Sequence, residues 1–141
     1  MIELVKFEAA HLAAIEVQGV QQFVAANVSE TQGDMLEKGI SYTAMCDGEP
    51  IAAAGLVDVW EGRGVVWACL SEVGPKAFLM IHRAVTKVLD ASPLKRIEML
   101  VDCTHDEGHR WAMMLGFQME AVRMRNYSPD GRDFSLYARV Q

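Results

Sequence analysis

Between residues 40 and 101 the apolar spacing switches from a strand period to a helical one and back again. Residues 40–46 and 50–60 are two apolar stretches separated by Asp47-Gly48-Glu49. Asp-Gly supplies the positive φ angles that a tight hairpin turn needs, so the two stretches read as antiparallel strands. Glu61-Gly62-Arg63-Gly64 is a second turn, and 65–70 is a third strand, rich in β-branched and aromatic residues. A short loop, 71–76, then carries Gly74-Pro75. Proline suits the first position of a helix, where a missing N–H costs nothing. The helix that follows puts Phe78, Ile81 or His82, Val85, and Val88 or Leu89 on one stripe, and it ends near Ala91, ahead of Pro93. Residues 96–101 return to a strand. A strand–helix–strand passage makes its two strands parallel neighbours, whereas a hairpin makes antiparallel ones. A chain holding both must build a mixed sheet.

The flanking segments extend that plan. Residues 2–7 alternate apolar and charged and read as a strand, with Leu12 and Ile15 at helical spacing after it. Gly19 interrupts that helix, and a second piece is expected over 22–26. Residues 29–38 form a short helix ended by Gly39, with Met35 and Leu36 inward. Thr104-His105-Asp106-Glu107 has the spacing of a capping box, so a helix starts there, runs through Trp111, Met114 and Leu115, and stops at Gly116. Residues 117–125 and 134–140 are two closing strands. Ala52, Ala53, Ala54 and Gly55 are small enough for close packing or a bulge. Strand alternation puts Trp67 on the same face as Cys69. Met113, Met114, Met119 and Met124 read as flexible core filler, and His11 and His82 as half-buried helix residues without a role. The fold class is α/β, an α+β mixed sheet in the order β-α-α-β-β-β-α-β-α-β-β, forming one domain over 1–141.

Composition excludes several functions. The 141 residues carry a net charge of −6, which argues against phosphate-backbone contacts and hence against a nucleic-acid partner. No apolar run is long enough to cross a membrane and no signal peptide is evident, so a cytoplasmic protein is expected. Cys46, Cys69 and Cys103 are odd in number, lack any CxxC and sit in or beside apolar stretches, as reduced thiols do. A catalytic role stays open for Cys69 or Cys103. His105 and His109 alone make a poor metal site, and none is expected.

One segment is more specific. His109-Arg110-Trp111-Ala112-Met113-Met114-Leu115-Gly116-Phe117 resembles the helix ending in Leu-Gly-Phe of the GNAT superfamily of acyl-CoA N-acyltransferases. Gly131-Arg132-Asp133 before Phe134-Ser135-Leu136-Tyr137 matches its closing hairpin, and the element order agrees along nearly the whole chain. A narrower likeness is to small GNAT-like proteins of tailed bacteriophages, some associated with the virion interior.

The resemblance implies transfer of an acetyl group from acetyl-CoA to an amine, on a small molecule or a protein, in a possible homodimer. It implies that the pyrophosphate meets the loop 71–78, where backbone N–H groups and a helix dipole favour an anion. The family pattern falls on Ser71, Gly74 and Lys76; only Gly74 clearly fits. Pro75 removes one donor, and Lys76 adds a positive charge. Cofactor-binding residues are thus Gly74, Lys76, Ala77 and Phe78, with the backbone of Ala68, Cys69 and Leu70 along the acyl-pantetheine chain. The acid position, a tyrosine in many relatives, is Ala112 here, with Tyr127 or Tyr137 as substitutes. Candidate bases are Glu72 and His105 first, then Glu61 or Asp58, and Asp102 or Cys103 at the end of their strand. The departures at Ser71 and Ala112 leave a second function open, a GNAT-shaped binding or structural protein without turnover.

Overall fold

The computed structural model describes residues 1–15 and 30–141, with side chains at 1–15 and from Asp34 onward. The elements are β1 (Ile2–Lys6), α1 (Ala9–Ala14), α2 (Glu30–Lys38), β2 (Ile40–Cys46), β3 (Glu49–Trp60), β4 (Arg63–Leu70), α3 (Pro75–Ala91), β5 (Arg96–Asp102), α4 (Asp106–Met114), β6 (Gln118–Met124) and β7 (Phe134–Val140). The strands form a seven-stranded sheet in the order β1-β2-β3-β4-β5-β7-β6. β1–β2, β2–β3, β5–β7 and β6–β7 pair antiparallel, and β4–β5 pair in parallel. The mixed sheet expected from the sequence is therefore present. The helix expected over 22–26 lies outside the described residues.

The chain divides into two compact units. The first comprises Met1–Val57 and Trp67–Ser92. Its hairpin turns at Asp47 (φ 50°) and Gly48 (φ 84°), the left-handed pair that the Asp-Gly signal demands. Phe7, Leu12, Ile15, Ala53 and Cys69 form its core, with Leu36 and Trp67 packed against them. Trp67 and Cys69 do share a face. Helix α3 buries Ile81, Val85 and Leu89, one alternative from each pair on the expected stripe. Met35 is the exception: it is 53% exposed, and only Leu36 turns inward on α2.

A lysine holds α2 in place. Lys6 Nζ donates to the carbonyls of Glu37 (2.9 Å) and Gly39 (3.0 Å) and to Ser41 Oγ (3.0 Å), so all three ammonium protons are used. The first two bonds satisfy carbonyls that the end of a helix leaves without an internal partner.

The second unit comprises Asp58–Val66 and Pro93–Gln141. Arg63 and Gly64 belong to β4 and not to the turn, which is only Glu61-Gly62. Residues 63–66 of β4 pair in parallel with 96–99 of β5, and β5 pairs along its whole length with β7. Ile97, Val101, Trp111, Ala112, Leu115, Phe117 and Tyr137 are buried here. Gly116 stops the helix with φ 88°, as a left-handed C-terminal glycine does. Met113, Met114 and Met119 are exposed, not core. The helical face of α4 that packs is set by Gly108, Trp111 and Ala112, and the two methionines at its end project past it.

Glu98 is a buried charge with excellent partners. Arg63 reaches it at 2.6 and 3.0 Å, Arg96 at 2.6 Å, and Arg96 also bonds Glu120 at 2.6 Å. The Arg63 hydrogen bond is the main reason the Glu98 carboxyl stays below its ordinary range, and it outweighs the opposing pull of burial. Arg63 in turn lies over the Trp60 ring, 4.4 Å from its centroid.

Candidate functional site

In the first unit the candidate residues follow one another along the end of β4 and the start of α3. Cys69 points its side chain into the core, and burial pushes its thiol up to about 11. It is a neutral thiol at physiological pH, which removes it as a nucleophile. Its backbone, with those of Ala68 and Leu70, is what the strand contributes. The next residue turns back. Ser71 donates both its backbone N–H (2.9 Å) and its hydroxyl (2.8 Å) to the Ile51 carbonyl of β3. The first position of the implied pattern is thus tied to the sheet.

Gly74 is the N-cap of α3, with φ −71° and ψ 170° and no side chain to cap the helix. A Cβ built on it meets nothing within 4 Å. Its carbonyl accepts the first helical bond, from the Phe78 N–H at 2.9 Å. Pro75 has no N–H, so the first-turn donors lacking an intrahelical acceptor belong to Lys76 and Ala77. Lys76 stands in the helix and not in the preceding loop, and its side chain is exposed. No acidic residue occupies the first turn. Phe78 stacks on His82, with centroids 6.2 Å apart. Glu72 is exposed beside this start.

Two buried side-chain groups in this unit have no hydrogen-bond partner, Trp67 Nε1 and Thr86 Oγ1. The indole lies edge-on to Phe7, 4.9 Å between centroids, and its nitrogen lies 2.8 Å from where a Cβ on Gly55 would sit. Leaving a buried donor unpaired costs about 1–3 kcal/mol. Nothing in the alternation of β4 announces this, because the sequence shows which face Trp67 occupies but not what its nitrogen meets.

The second unit holds the other candidates. The expected capping box at 104–107 does not form: His105 is the N-cap, with no side-chain capping bond. Thr104 instead gives its N–H (2.8 Å) and hydroxyl (2.7 Å) to Asp102 Oδ1, and Arg132 pairs with Asp102 Oδ2. Burial would raise the Asp102 carboxyl, but the Arg132 and Thr104 bonds together hold it below its ordinary value. Asp102 is therefore committed to its own loop. A capping box is found instead at Glu8 and His11, which opens α1.

His105 is packed over Gly108, where an added Cβ would come within 2.6 Å of its Nδ1. Burial is the main cause that lowers its pKa, leaving a neutral imidazole at physiological pH, the form that accepts a proton. Ala112 is fully buried and Tyr127 leans on Phe134, 5.5 Å between ring centroids. Tyr137 is buried, and its hydroxyl lies 2.7 Å from His109 Nδ1. Because His109 Nε2 faces the Cys103 carbonyl at 3.1 Å, that nitrogen carries the proton, and in the neutral ring Nδ1 accepts from the tyrosine. His109 was visible in the sequence only as half of a weak metal pair. Cys103 is a free thiol near Ser135 Oγ, at 3.6 Å. Asp58 and Glu61 are exposed. No cluster able to hold a metal ion exists among the described residues, and none of their helices is long and apolar enough to cross a membrane.

No family model and no curated protein matches the sequence. Solved structures do. Ard1 from Thermoplasma volcanium superposes with a TM-score of 0.77 at 12% identity, covering 99% of this chain and 97% of that one. An N-acetyltransferase from Staphylococcus aureus Mu50 gives 0.73 at 12%, over 99% and 97%. A GNAT-family acetyltransferase from Bacillus anthracis gives 0.69 at 14%, over 99% and 94%. This chain has the GNAT fold. The likeness runs over nearly the whole of this chain and of each of those. At such identities the likeness concerns fold alone.

Proposed function

We propose that the chain is an N-acyltransferase that moves an acetyl group from acetyl-CoA to an amine by direct attack. The observation that carries this reading is the start of α3. Two first-turn amides, the dipole of a 17-residue helix, an exposed lysine and open space over Gly74 suit a pyrophosphate. Lys76, Ala77 and Gly74 would hold it, and the backbone of Ala68, Cys69 and Leu70 would lie along the rest of the molecule. When bound, acetyl-CoA supplies the acyl group as a thioester. In the transfer a C–N bond forms and a C–S bond breaks, so one proton must leave the amine and one must reach the thiolate. Glu72, exposed in the loop between β4 and α3, and His105, a neutral imidazole, are the chain's candidates to take the first. No tyrosine fills the second role from within α4, since that position is the buried Ala112. Water can protonate the thiolate, whose conjugate acid is only weakly acidic.

Titration calorimetry with acetyl-CoA, followed by an amine-acetylation assay, tests the proposal; no heat at millimolar cofactor sinks it. A second reading has its own support. With Ala112 buried, Tyr137 bonded to His109 and Ser71 tied to Ile51, the chain would serve as a GNAT-shaped binding protein. Cofactor binding without product from any amine panel would favour it.

A further inference from the structure

We infer that the outer face of α3 is a docking surface for an acidic amphipathic helix of a partner protein. The inference stands apart from the acetyl-CoA reading, because the surface begins at Leu79 and uses none of Gly74, Lys76 or Ala77.

Shape comes first. A groove runs along α3, and the residues that line it fall on two rows at a spacing of four. Leu79, Arg83, Lys87 and Ala91 form one row, and His82, Thr86 and Asp90 form the other. Rows at that spacing are the ridges of a helix surface, and the channel between two of them takes the matching ridge of a second helix. From Leu79 to Ala91 the channel is about 18 Å long at 1.5 Å per residue, room for three turns of a partner. Ile81, Val85 and Leu89 already face the core, so the channel lies on the side of α3 that the sheet does not use. Thr86, at the middle of its row, is short and leaves the channel open there.

Charge then selects the occupant. The unit that holds α3 carries five cations, Lys6, Lys38, Lys76, Arg83 and Lys87, against ten acids. Lys6 is committed to α2. Arg83 and Lys87 are exposed one turn apart on the same row, and no acid pairs with either among the described residues. In the other unit Arg63, Arg96, Arg123 and Arg132 each hold a carboxylate. Like charges four residues apart repel and weaken a helix slightly, so this pair does nothing for α3 alone; acids on a facing ridge would reverse its sign. Leu79, 46% exposed, adds an apolar contact one turn before Arg83. A ridge with one apolar residue and two acids at successive fourth positions complements this row. Asp90 in the neighbouring row and the net charge of −6 disfavour a polyanion such as nucleic acid. Two cations are also too few to hold a membrane surface.

The test uses the full chain and a labelled, alanine-rich helical peptide of about 15 residues, with leucine, glutamate and glutamate at successive fourth positions. Its control carries lysine in place of both glutamates. Fluorescence anisotropy at low salt should show the glutamate peptide binding and the lysine peptide not. R83E/K87E should weaken the glutamate peptide by roughly 10-fold or more and take up the lysine peptide instead. R83Q/K87Q, which keeps good helix formers and adds no charge, should fall between and serves if the reversal disturbs folding. K38E, a charge reversal on another helix of the same unit, should leave the glutamate peptide's affinity unchanged. Binding of both peptides, binding of neither, or an equal loss in K38E overturns the assignment. So does tighter binding to phosphatidylserine vesicles or single-stranded DNA than to the glutamate peptide, lost in R83E/K87E, because the face would then belong to a lipid surface or a nucleic acid.

Discussion

Helices α3 and α4 both begin just after a central strand, yet their first turns are built in opposite ways. The start of α3 has a glycine N-cap, no acidic residue and an exposed Lys76. The start of α4 follows a loop in which Asp102 gathers Thr104 and Arg132, and it adds Asp106 and Glu107 to its own first turn. A helix dipole attracts negative charge at this end. In α4 the chain supplies that charge itself. In α3 it supplies none, which leaves the end suited to an anion from outside.

Placing a carboxylate on α3 tests the contrast most severely. In Gly74→Glu a fixed negative charge would sit where the pyrophosphate is proposed. At about 4 Å and an intermediate dielectric, charge repulsion of this kind is worth on the order of 4 kcal/mol, so acetyl-CoA affinity should fall by more than roughly 100-fold. Stability should hold or rise slightly, because the backbone angles at 74 suit any residue and an acid at a helix start is favourable. Calorimetry and thermal melts read the two effects separately, and a variant that keeps its affinity breaks the comparison.

Removing the internal charge of the other loop should do the reverse. Asp102→Ala takes away the partner of Arg132 and of both Thr104 donors, and should cost about 1–3 kcal/mol, moderated because Arg132 is partly solvated. Acetyl-CoA affinity should change little. The same group sets a pH signature. Its folded pKa is depressed below the ordinary 3.8, so its stabilisation is complete above that value and is lost as pH falls through the lower folded value. The difference in melting temperature between wild type and Asp102→Ala should therefore be constant near neutrality and shrink below pH 3.8. A difference that widens in acid would count against the ion pair. The smallest effect is expected from Lys76→Ala, a weakening of acetyl-CoA binding by about 2- to 5-fold that fades at high salt.

How much of this was legible depends on distance along the chain. The Asp47-Gly48 turn, the Pro75 start and the buried stripe of α3 and the Gly116 stop rest on patterns within a turn or a helix, the parallel β4–β5 pair on the order strand–helix–strand, and all are present. Misreadings came where a second group competed for the same partner or the same buried face. Thr104 looked like a cap, but Asp102 drew both its donors, stabilised in turn by Arg132 thirty positions later. Met113 and Met114 looked like filler, but Trp111 and Ala112 had already taken the buried face. Tyr137 offered a proton donor on paper, and His109 claims it in space. Residues of the candidate site were legible as far as they lie in one stretch, 68–78. The indole of Trp67 was not, because an unmet hydrogen bond leaves no period in a sequence.

The attachment of α2 has no redundancy at its nitrogen. One atom, Lys6 Nζ, serves two carbonyls and a hydroxyl at once. An arginine could divide such duties among five donors, whereas an ammonium that loses its charge loses several bonds together. Acylation of that one amine would leave the carbonyls of Glu37 and Gly39 without it in a single event. In a protein proposed to handle acetyl thioesters, Lys6 is then the lysine whose amine most needs to stay occupied, and its three bonds are also its protection.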